Sequence, residues 1–324
     1  MKILIILPNW LGDAIMATPA IELLAKHYPT ARFTFVGSYV SIEALKHHPL
    51  CEKAVIDETK KAPSRLLATY KLAKELGEFS FAITFRNQLH SSLLLRFTNT
   101  VVCIAKSSWH SKLLLSHTPK IEQNKHLVEQ YSQLAMIDTD AYDGVSPTLK
   151  LHIKQNSFTK PTLGLNAGAT YGSAKRWYPE RFAEVATAFS EEFDIIIFGG
   201  PSEVSVAKDI EDKLIELGVN NYINIAGKTS IKELCQNIGA CSLFLTNDSG
   251  PMHIAAAYQI PTVAIFGPTR YKETSQWKNE KSIIVRKEME CSPCMKRECP
   301  LGHHDCMKMI SSQEVITALR NIQH

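Results

Sequence analysis

The segment NDSGPMHIAAA, residues 247–257, sets an acid, a hydroxyl, a glycine and a histidine at one strand-to-helix turn. Packing does not require that set, but an anion would use it. Asp248 or Ser249 can cap orphan N–H groups, Gly250 lets a ligand approach the backbone, and a helix N-terminus offers N–H donors and a positive dipole end. Pro251 suits a first helical turn, where its missing N–H costs nothing. His253 follows one turn inside. Alone, this turn reads equally well as a helix cap over a core histidine. Sister loops shift the reading to phosphate. NAGATYGSAKRW (166–177) offers the hydroxyls of Thr170 and Ser173 and the compact charge of Lys175. It is neither a Walker A loop nor GxGxxG; its bland reading is a solvated loop with Arg176 and Trp177 packing outward. GGPSE (199–203) brings in Glu203, as an acceptor for a ribose diol or as a first-turn acid that the helix dipole favours. FGPTR (266–270) is the fourth.

The first half carries a counterpart, PNWLGDAIMATPA (8–20), with Gly12 at the turn and Asp13 where a helix begins. Asp13 is a helix cap or a general base towards an acceptor hydroxyl. Arg86, His90, Arg96, Lys106, His110 and Lys112 make the middle of this half basic. They are solvated surface charges or a patch for an anionic acceptor, with Arg86, His90 and Lys112 the candidate contacts. Near the C-terminus, Cys291, Cys294, Cys299 and Cys306 run as C-x2-C-x4-C-x6-C with His303 and His304 between them. Four thiolates suit tetrahedral zinc, yet the second pair is too wide for a standard knuckle. A structural zinc or a reduced, Cys-rich loop is expected, and no catalytic metal.

These residues need a scaffold. Strands are read at 2–8, 32–37, 53–57, 81–85 and 101–105, then at 162–168, 194–200, 222–227, 243–248 and 262–267. Helical spacing lies between them, at 15–27, 63–78, 179–190, 202–217, 231–239 and 250–257. Alternation of this kind implies α/β architecture with parallel sheets. Ligands of such sheets bind outside the carboxyl ends of the strands, where all the loops above fall. Polar and turn residues over 138–161, with a weak strand between Pro147 and Pro161, mark a linker. The domains are then 1–155 and 156–324. SSQEVITALRNIQH closes the chain as an amphipathic helix capped at Ser312.

A chain of 324 residues is long for one core and fits two domains. With 45% hydrophobic and 21% charged residues it is globular, and a net charge of +4 is too small to argue nucleic acid but fits an anionic substrate. The apolar run at the start stops at Pro8, so it reads as a buried strand rather than a signal peptide. No window approaches the roughly eighteen apolar residues of a membrane span. A cytoplasmic chain with reduced thiols is expected.

Together, ILPNWLGDAIMATPAIELL, NAGATYGSAKRWYPERF and TNDSGPMHIAAAYQIPTVAIFGPT resemble the ADP-heptose:lipopolysaccharide heptosyltransferases, glycosyltransferase family 9. The resemblance runs from the first strand to about residue 310 and takes in the Cys-rich run. It implies a GT-B fold: two Rossmann-like domains facing across a cleft, with the final helix crossing back to the first. It implies inverting transfer of L-glycero-D-manno-heptose from ADP-heptose to the first heptose of the anionic Kdo-lipid A inner core. Asp13 would then be the base. Lys175 and Thr170 would meet the pyrophosphate, Glu203 the ribose, Asp248 the heptose, and Ser249, Gly250 and His253 the diphosphate. A monomer weakly attached to the inner membrane face is expected, needing no metal cofactor. Another family 9 transferase with a different acceptor, or a non-catalytic nucleotide-sugar binder, are the rival readings.

Overall fold

The protein is described here by a computed structural model covering residues 1–137 and 143–323. The chain divides into two compact units, Met1–His152 and Ile153–His324. The division falls three residues before the expected one. Of the expected linker, residues 138–142 lie outside the described residues. The remainder shows no strand between Pro147 and Pro161.

The first unit alternates β1 (Lys2–Ile6), α1 (Leu11–Met16), α2 (Thr18–His27), β2 (Arg32–Gly37), α3 (Tyr39–Leu45), β3 (Cys51–Ile56), α4 (Arg65–Leu76), β4 (Phe81–Thr84), α5 (Leu89–Phe97), β5 (Cys103–Ala105), α6 (Trp109–Leu114) and α7 (Leu127–Ala135). All strand pairs are parallel, in the order β3-β2-β1-β4-β5. The strands are runs such as KILII and FAIT, with β1 buried beyond Lys2 and β4 buried throughout, as expected for a sheet covered on both faces. The helix read over 15–27 is two helices. Pro19 supplies no N–H to an i−4 carbonyl, and the ladder breaks at Ala17. Helices α1, α2, α3 and α7 pack among themselves, and α4, α5 and α6 form a second series. This is the two-faced layering that right-handed crossovers produce.

The second unit holds β6 (Thr162–Asn166), α8 (Pro179–Phe189), β7 (Asp194–Phe198), α9 (Val204–Glu216), β8 (Tyr222–Asn224), α10 (Ile231–Ile238), β9 (Leu243–Asn247), α11 (Gly250–Ala257), β10 (Thr262–Phe266), α12 (Tyr271–Thr274), β11 (Ser282–Arg286), α13 (Asp305–Lys308) and α14 (Ser312–Ile322). Its order is β11-β10-β9-β6-β7-β8. Strand β11 is an addition to the sequence reading, although SIIVR carries a strand pattern. Helix α14 is capped by Ser311, one residue earlier than read, and Glu314 completes the box. Its buried Val315, Ala318 and Leu319 join the core of the second unit beside α8 and β11.

In both sheets the chain progresses first to one side and then to the other. The direction switches between β1 and β4, and again between β6 and β9. Such switch points open a crevice at the carboxyl ends of the strands. Asp13 follows β1, and the loops containing Lys175 and Asp248 follow β6 and β9.

The end of the first unit is pinned by charge. Glu22 on α2 accepts from His152 at 2.7 Å, meets His48 at 3.4 Å and pairs with Lys150 at 3.1 Å. Among the described residues this is the one group of three His, Cys, Asp or Glu side chains whose ligand atoms lie within 4.8 Å of one another. It is not a ready metal site. The Leu50 N–H donates to His48 Nδ1, so the ring proton sits on Nε2, facing Glu22. Burial alone would raise Glu22, but the hydrogen bonds from His48 and His152 and the charge of Lys150 outweigh it and hold the carboxyl at about 2, below the usual 4.5. A depressed carboxyl stabilises the fold above its unfolded pKa and loses that contribution as pH falls towards the folded value. Glu22→Gln should therefore cost about 1–2 kcal/mol near neutral pH, after allowance for partial exposure. In urea titrations the gap from wild type should close between 4.5 and about 2. A gap independent of pH would assign the loss to packing instead.

Candidate functional site

The rim of the second sheet is stitched across its switch point. Strands β6 and β9 pair with Asn166 opposite Thr246, and the two turns beyond them exchange side-chain bonds. Asn166 Nδ2 donates to the Ser249 hydroxyl at 3.1 Å. Asn247 Nδ2 donates to the Ala167 carbonyl at 2.7 Å, and its Oδ1 accepts from the Trp177 N–H at 3.1 Å. Trp177 does not face outward: it is 1% exposed, stacks edge-on against Phe182 and donates its indole N–H to Ile310. Burying this ring fixes where the preceding Lys175 emerges.

Lys175 Nζ lies 2.6 Å from Asp248 Oδ2, and the Thr269 hydroxyl donates to the same oxygen at 2.5 Å. The aspartate is 4% exposed. It does not cap α11. The N-cap is Ser249, and its side chain makes no capping bond either. An uncapped helix N-terminus next to a fixed lysine makes a cationic corner suited to an anion. His253 is buried one turn inside α11, at 3% exposure. Thr170 is exposed at the tip of the β6 loop.

Glu203 is buried at the turn after β7, where its Oε2 accepts the Gly200 N–H at 2.8 Å. Its carboxylate lies against Gly168, so close that a Cβ there would fall 2.1 Å from Cδ. Glycine at 168 is what lets this acid reach the rim. Glu203 thus serves as a local cap and still stands beside the β6 loop.

The Cys-rich segment is folded onto this same corner. The Arg297 carbonyl accepts the Ala174 N–H at 3.0 Å, and a Cβ on Gly172 would sit 2.2 Å from that oxygen. Tyr171 donates to the Met295 carbonyl at 2.7 Å, the Ser292 hydroxyl to Gly267 at 2.7 Å, and His304 Nε2 lies 3.0 Å from the Ala174 carbonyl. Lys175 and the Arg297 guanidinium both stand over the Tyr171 ring, at 4.8 Å and 5.6 Å from its centroid. Arg297 and Thr269 stand at this corner although the sequence reading did not single them out. Their signal is weak, because an arginine over a hundred residues away shows no spacing relation to Lys175.

The four thiols of that segment are free. Burial, then the charges of Cys291, Cys299 and Cys294, raise Cys306 to about 11. Backbone N–H groups, His304 first, lower the Cys299 thiol. The sequence left a structural zinc and a reduced, Cys-rich loop as alternatives. A tetrahedral site at a Zn–S distance of about 2.3 Å needs sulfurs about 3.8 Å apart, and no three of these lie mutually within 4.8 Å.

In the first unit, Asp13 occupies the first turn of α1, immediately after the β1 loop. That loop is held from α3: Ser38 donates to the Asn9 carbonyl at 2.7 Å, and Ser41 donates to Pro8. Tyr131 on α7 lies near Asp13. Burial, and then the charge of Asp13, push the Tyr131 phenol well above its ordinary value. Arg86 corrects the sequence reading. It is 7% exposed, donates from Nε to the Leu7 carbonyl at 2.6 Å and from Nη1 to Asp57 at 2.7 Å. It ties the ends of β1, β3 and β4 together and is no surface acceptor contact. His90 is half-buried at the start of α5. Burial and then the positive charge of Arg65 lower its pKa. Lys112 is exposed on α6.

A cavity of about 490 Å³ opens among Phe158, Thr162, Asp194 and Tyr222, at the amino ends of the second sheet's strands. Ligands of open α/β sheets bind at the other end, where the network of Asn166, Lys175, Asn247 and Asp248 lies.

Two Rossmann-like units, each with its polar loops at a switch point, define the GT-B class of glycosyltransferases. The family model of Glycosyltransferase family 9 (heptosyltransferase) matches residues 69–304, and the chain belongs to that family. It is 39% identical to a lipooligosaccharide heptosyltransferase 2 of Campylobacter jejuni, over 99% of this chain and 98% of that one. It is 27% identical to the lipopolysaccharide heptosyltransferase 2 of Escherichia coli, over 98% and 97%. The solved structure of the E. coli ADP-heptose lps heptosyltransferase II superposes with a TM-score of 0.83 at 24% identity, covering 100% of this chain and 98% of that one.

Replacing Lys175 with alanine should weaken ADP binding about tenfold or more, the scale of a lost hydrogen bond to a charged group. It should leave adenosine binding unchanged in calorimetry. It also strands the buried Asp248 carboxylate, so Tm should drop. Unaltered ADP affinity would remove Lys175 from the site.

Proposed function

We propose that this protein transfers L-glycero-D-manno-heptose from ADP-heptose to the first heptose of the Kdo-lipid A inner core, with inversion. The supporting observation is the cationic corner at the β6/β9 switch point, built from Lys175, Asp248, Thr269 and the open N-terminus of α11, in a chain of this family. The leaving group is a nucleoside diphosphate. Stabilising its developing charge is the main electrostatic task of the transfer.

In this reading Lys175, Arg297, Thr170, Ser249, Gly250 and His253 bind the diphosphate, and Glu203 meets the ribose. Asp248 holds Lys175 through Oδ2, which leaves Oδ1 for a sugar hydroxyl. Asp13 removes the proton of the acceptor hydroxyl as that oxygen attacks C1 of the heptose. The bond from C1 to the phosphate oxygen breaks in line, and ADP departs with the electron pair. The fixed cations and the α11 dipole carry the charge work here, so no divalent ion is required. The enzyme acts as a monomer on the cytoplasmic face of the membrane, where it attaches peripherally to reach its lipid acceptor.

Mass spectrometry of the product from ADP-heptose and an acceptor bearing one heptose should show the addition of a single heptose. No product with that acceptor, but one with the heptose-free core, would move the assignment to another member of the family. In thermal shift, ADP should raise Tm clearly more than UDP or GDP; a larger shift with UDP would overturn the donor. Asp13→Asn should reduce turnover by about a hundredfold or more while ADP affinity stays near wild type. Turnover in EDTA should match that in magnesium, and its loss would refute metal-free catalysis.

A further inference from the structure

The three helices on one face of the first sheet carry a surface that packing on the sheet does not use. In a parallel sheet with right-handed crossovers, helix N-termini line the carboxyl edge of the strands. So α4, α5 and α6 all start at the edge where Asp13 follows β1. They are packed side by side: Tyr70 meets Phe97 at 5.4 Å, and the Ser92 hydroxyl lies 3.1 Å from His110 Nδ1. The first turns of α4 and α5 are close enough for Arg65 to depress His90.

Along these starts the chain exposes large apolar side chains. Trp109 is 73% and Leu113 79% exposed on α6, and Leu66 and Leu67 are 54% and 52% exposed on α4. Tyr70 and Leu89 continue the row. Scattered exposed leucines need no explanation, but large exposed apolar side chains, a tryptophan among them, gathered on three adjoining helices mark an interaction surface. The charge around it is one-sided. Residues 59–120 contain ten Lys and Arg, of which Arg86 is buried and paired, against two Asp and Glu, while the whole chain is only +4, so the rest is net negative. Lys71, Lys74 and Lys112 are exposed on the same helices, and Lys74 lies over the Tyr70 ring.

We infer that the α4–α5–α6 edge is a membrane-docking surface that seats on an anionic bilayer. Trp109, Leu113, Leu66 and Leu67 enter the interface while the surrounding lysines meet lipid phosphates. Tryptophan sits favourably at the headgroup level, long cationic side chains reach outward to phosphate, and each surface cation adds attraction to an anionic leaflet. A protein partner would not need so uniform a charge. The surface shares its edge of the sheet with Asp13, so seating it on a bilayer brings lipid-anchored acceptors to the base. The inference rests on the proposed lipid acceptor for its purpose, but its test does not depend on turnover.

The test is flotation of the full chain with vesicles of phosphatidylcholine alone and with about one-third phosphatidylglycerol. Wild type should float with the anionic vesicles only, and about 0.5 M salt should release most of it. The double variant Trp109→Ser, Leu113→Ser removes two exposed side chains and should lose binding about tenfold. Ile215→Ser, an exposed apolar position on α9 of the second unit, should leave binding unchanged. With a detergent-dispersed acceptor the double variant should turn over like wild type, and with a vesicle-embedded acceptor it should be slower. Vesicle binding as expected without heptose transfer would sink the proposed function and leave this surface standing. Equal binding by wild type and the double variant would overturn the inference. So would light scattering showing a dimer that the double variant abolishes while vesicle binding is unchanged, since the row would then be a protein interface.

Discussion

The rim of the second sheet depends on one ion pair. Lys175 comes from the loop after β6 and Asp248 from the turn after β9, and their contact at 2.6 Å fixes both loops at the switch point. A lysine this buried costs free energy to desolvate and is tolerated only with a partner. Thr269 occupies part of the same carboxylate oxygen, so the pair cannot rotate freely. The result is a cation whose position is set before any ligand arrives, which is the economical way to meet a diphosphate. It also divides two roles that one aspartate could have been assigned. Asp248 does not cap α11, and that helix start is left open for an anion.

The same device recurs in the first unit with a different purpose. Asp57 and Arg86 join strand ends beneath the β1 loop; burial is outweighed at Asp57 by the hydrogen bonds from Thr59 and Arg86, which hold its carboxyl below the ordinary value, whereas at Arg86 burial prevails and lowers the guanidinium. Glu22 gathers His48, Lys150 and His152 where the unit ends. These pairs are scaffolding. They consume charge inside the fold, whereas the lysines of α4 and α6 keep theirs at the surface. Which arginine or lysine is available to a substrate is decided by such partners, not by the count of cations.

The Cys-rich segment adds a further layer to the corner around Lys175. Its backbone, more than its thiols, makes the contacts: carbonyls of Met295 and Arg297 receive donors from the β6 loop. Gly172 is required because the Arg297 carbonyl occupies the space of a side chain. The segment thereby brings Arg297 to Tyr171 and Lys175, a grouping of cations and ring that the β6 loop could not build by itself.

The strands, their order along the chain and the candidate rim loops were legible in the sequence. Short β-branched runs ending in Gly or Asn-Asp have a local cause, and parallel α/β topology then places every such loop at one edge. Asp13, Lys175 and Asp248 could be picked out for the same reason. Partnership was not legible. The sequence left Arg86 as a solvated charge or an acceptor contact, Trp177 as outward or not, and Asp248 as a cap or a ligand of the sugar, and each choice depended on what came near from elsewhere in the chain. Arg86 met Asp57, Trp177 met Phe182 and the Ile310 carbonyl, and Asp248 met Lys175. Local propensity and periodicity act over a few residues, so one sequence suffices to read them. Burial and pairing join residues up to 133 positions apart, as Trp177 and Ile310 are, and only the folded chain decides them.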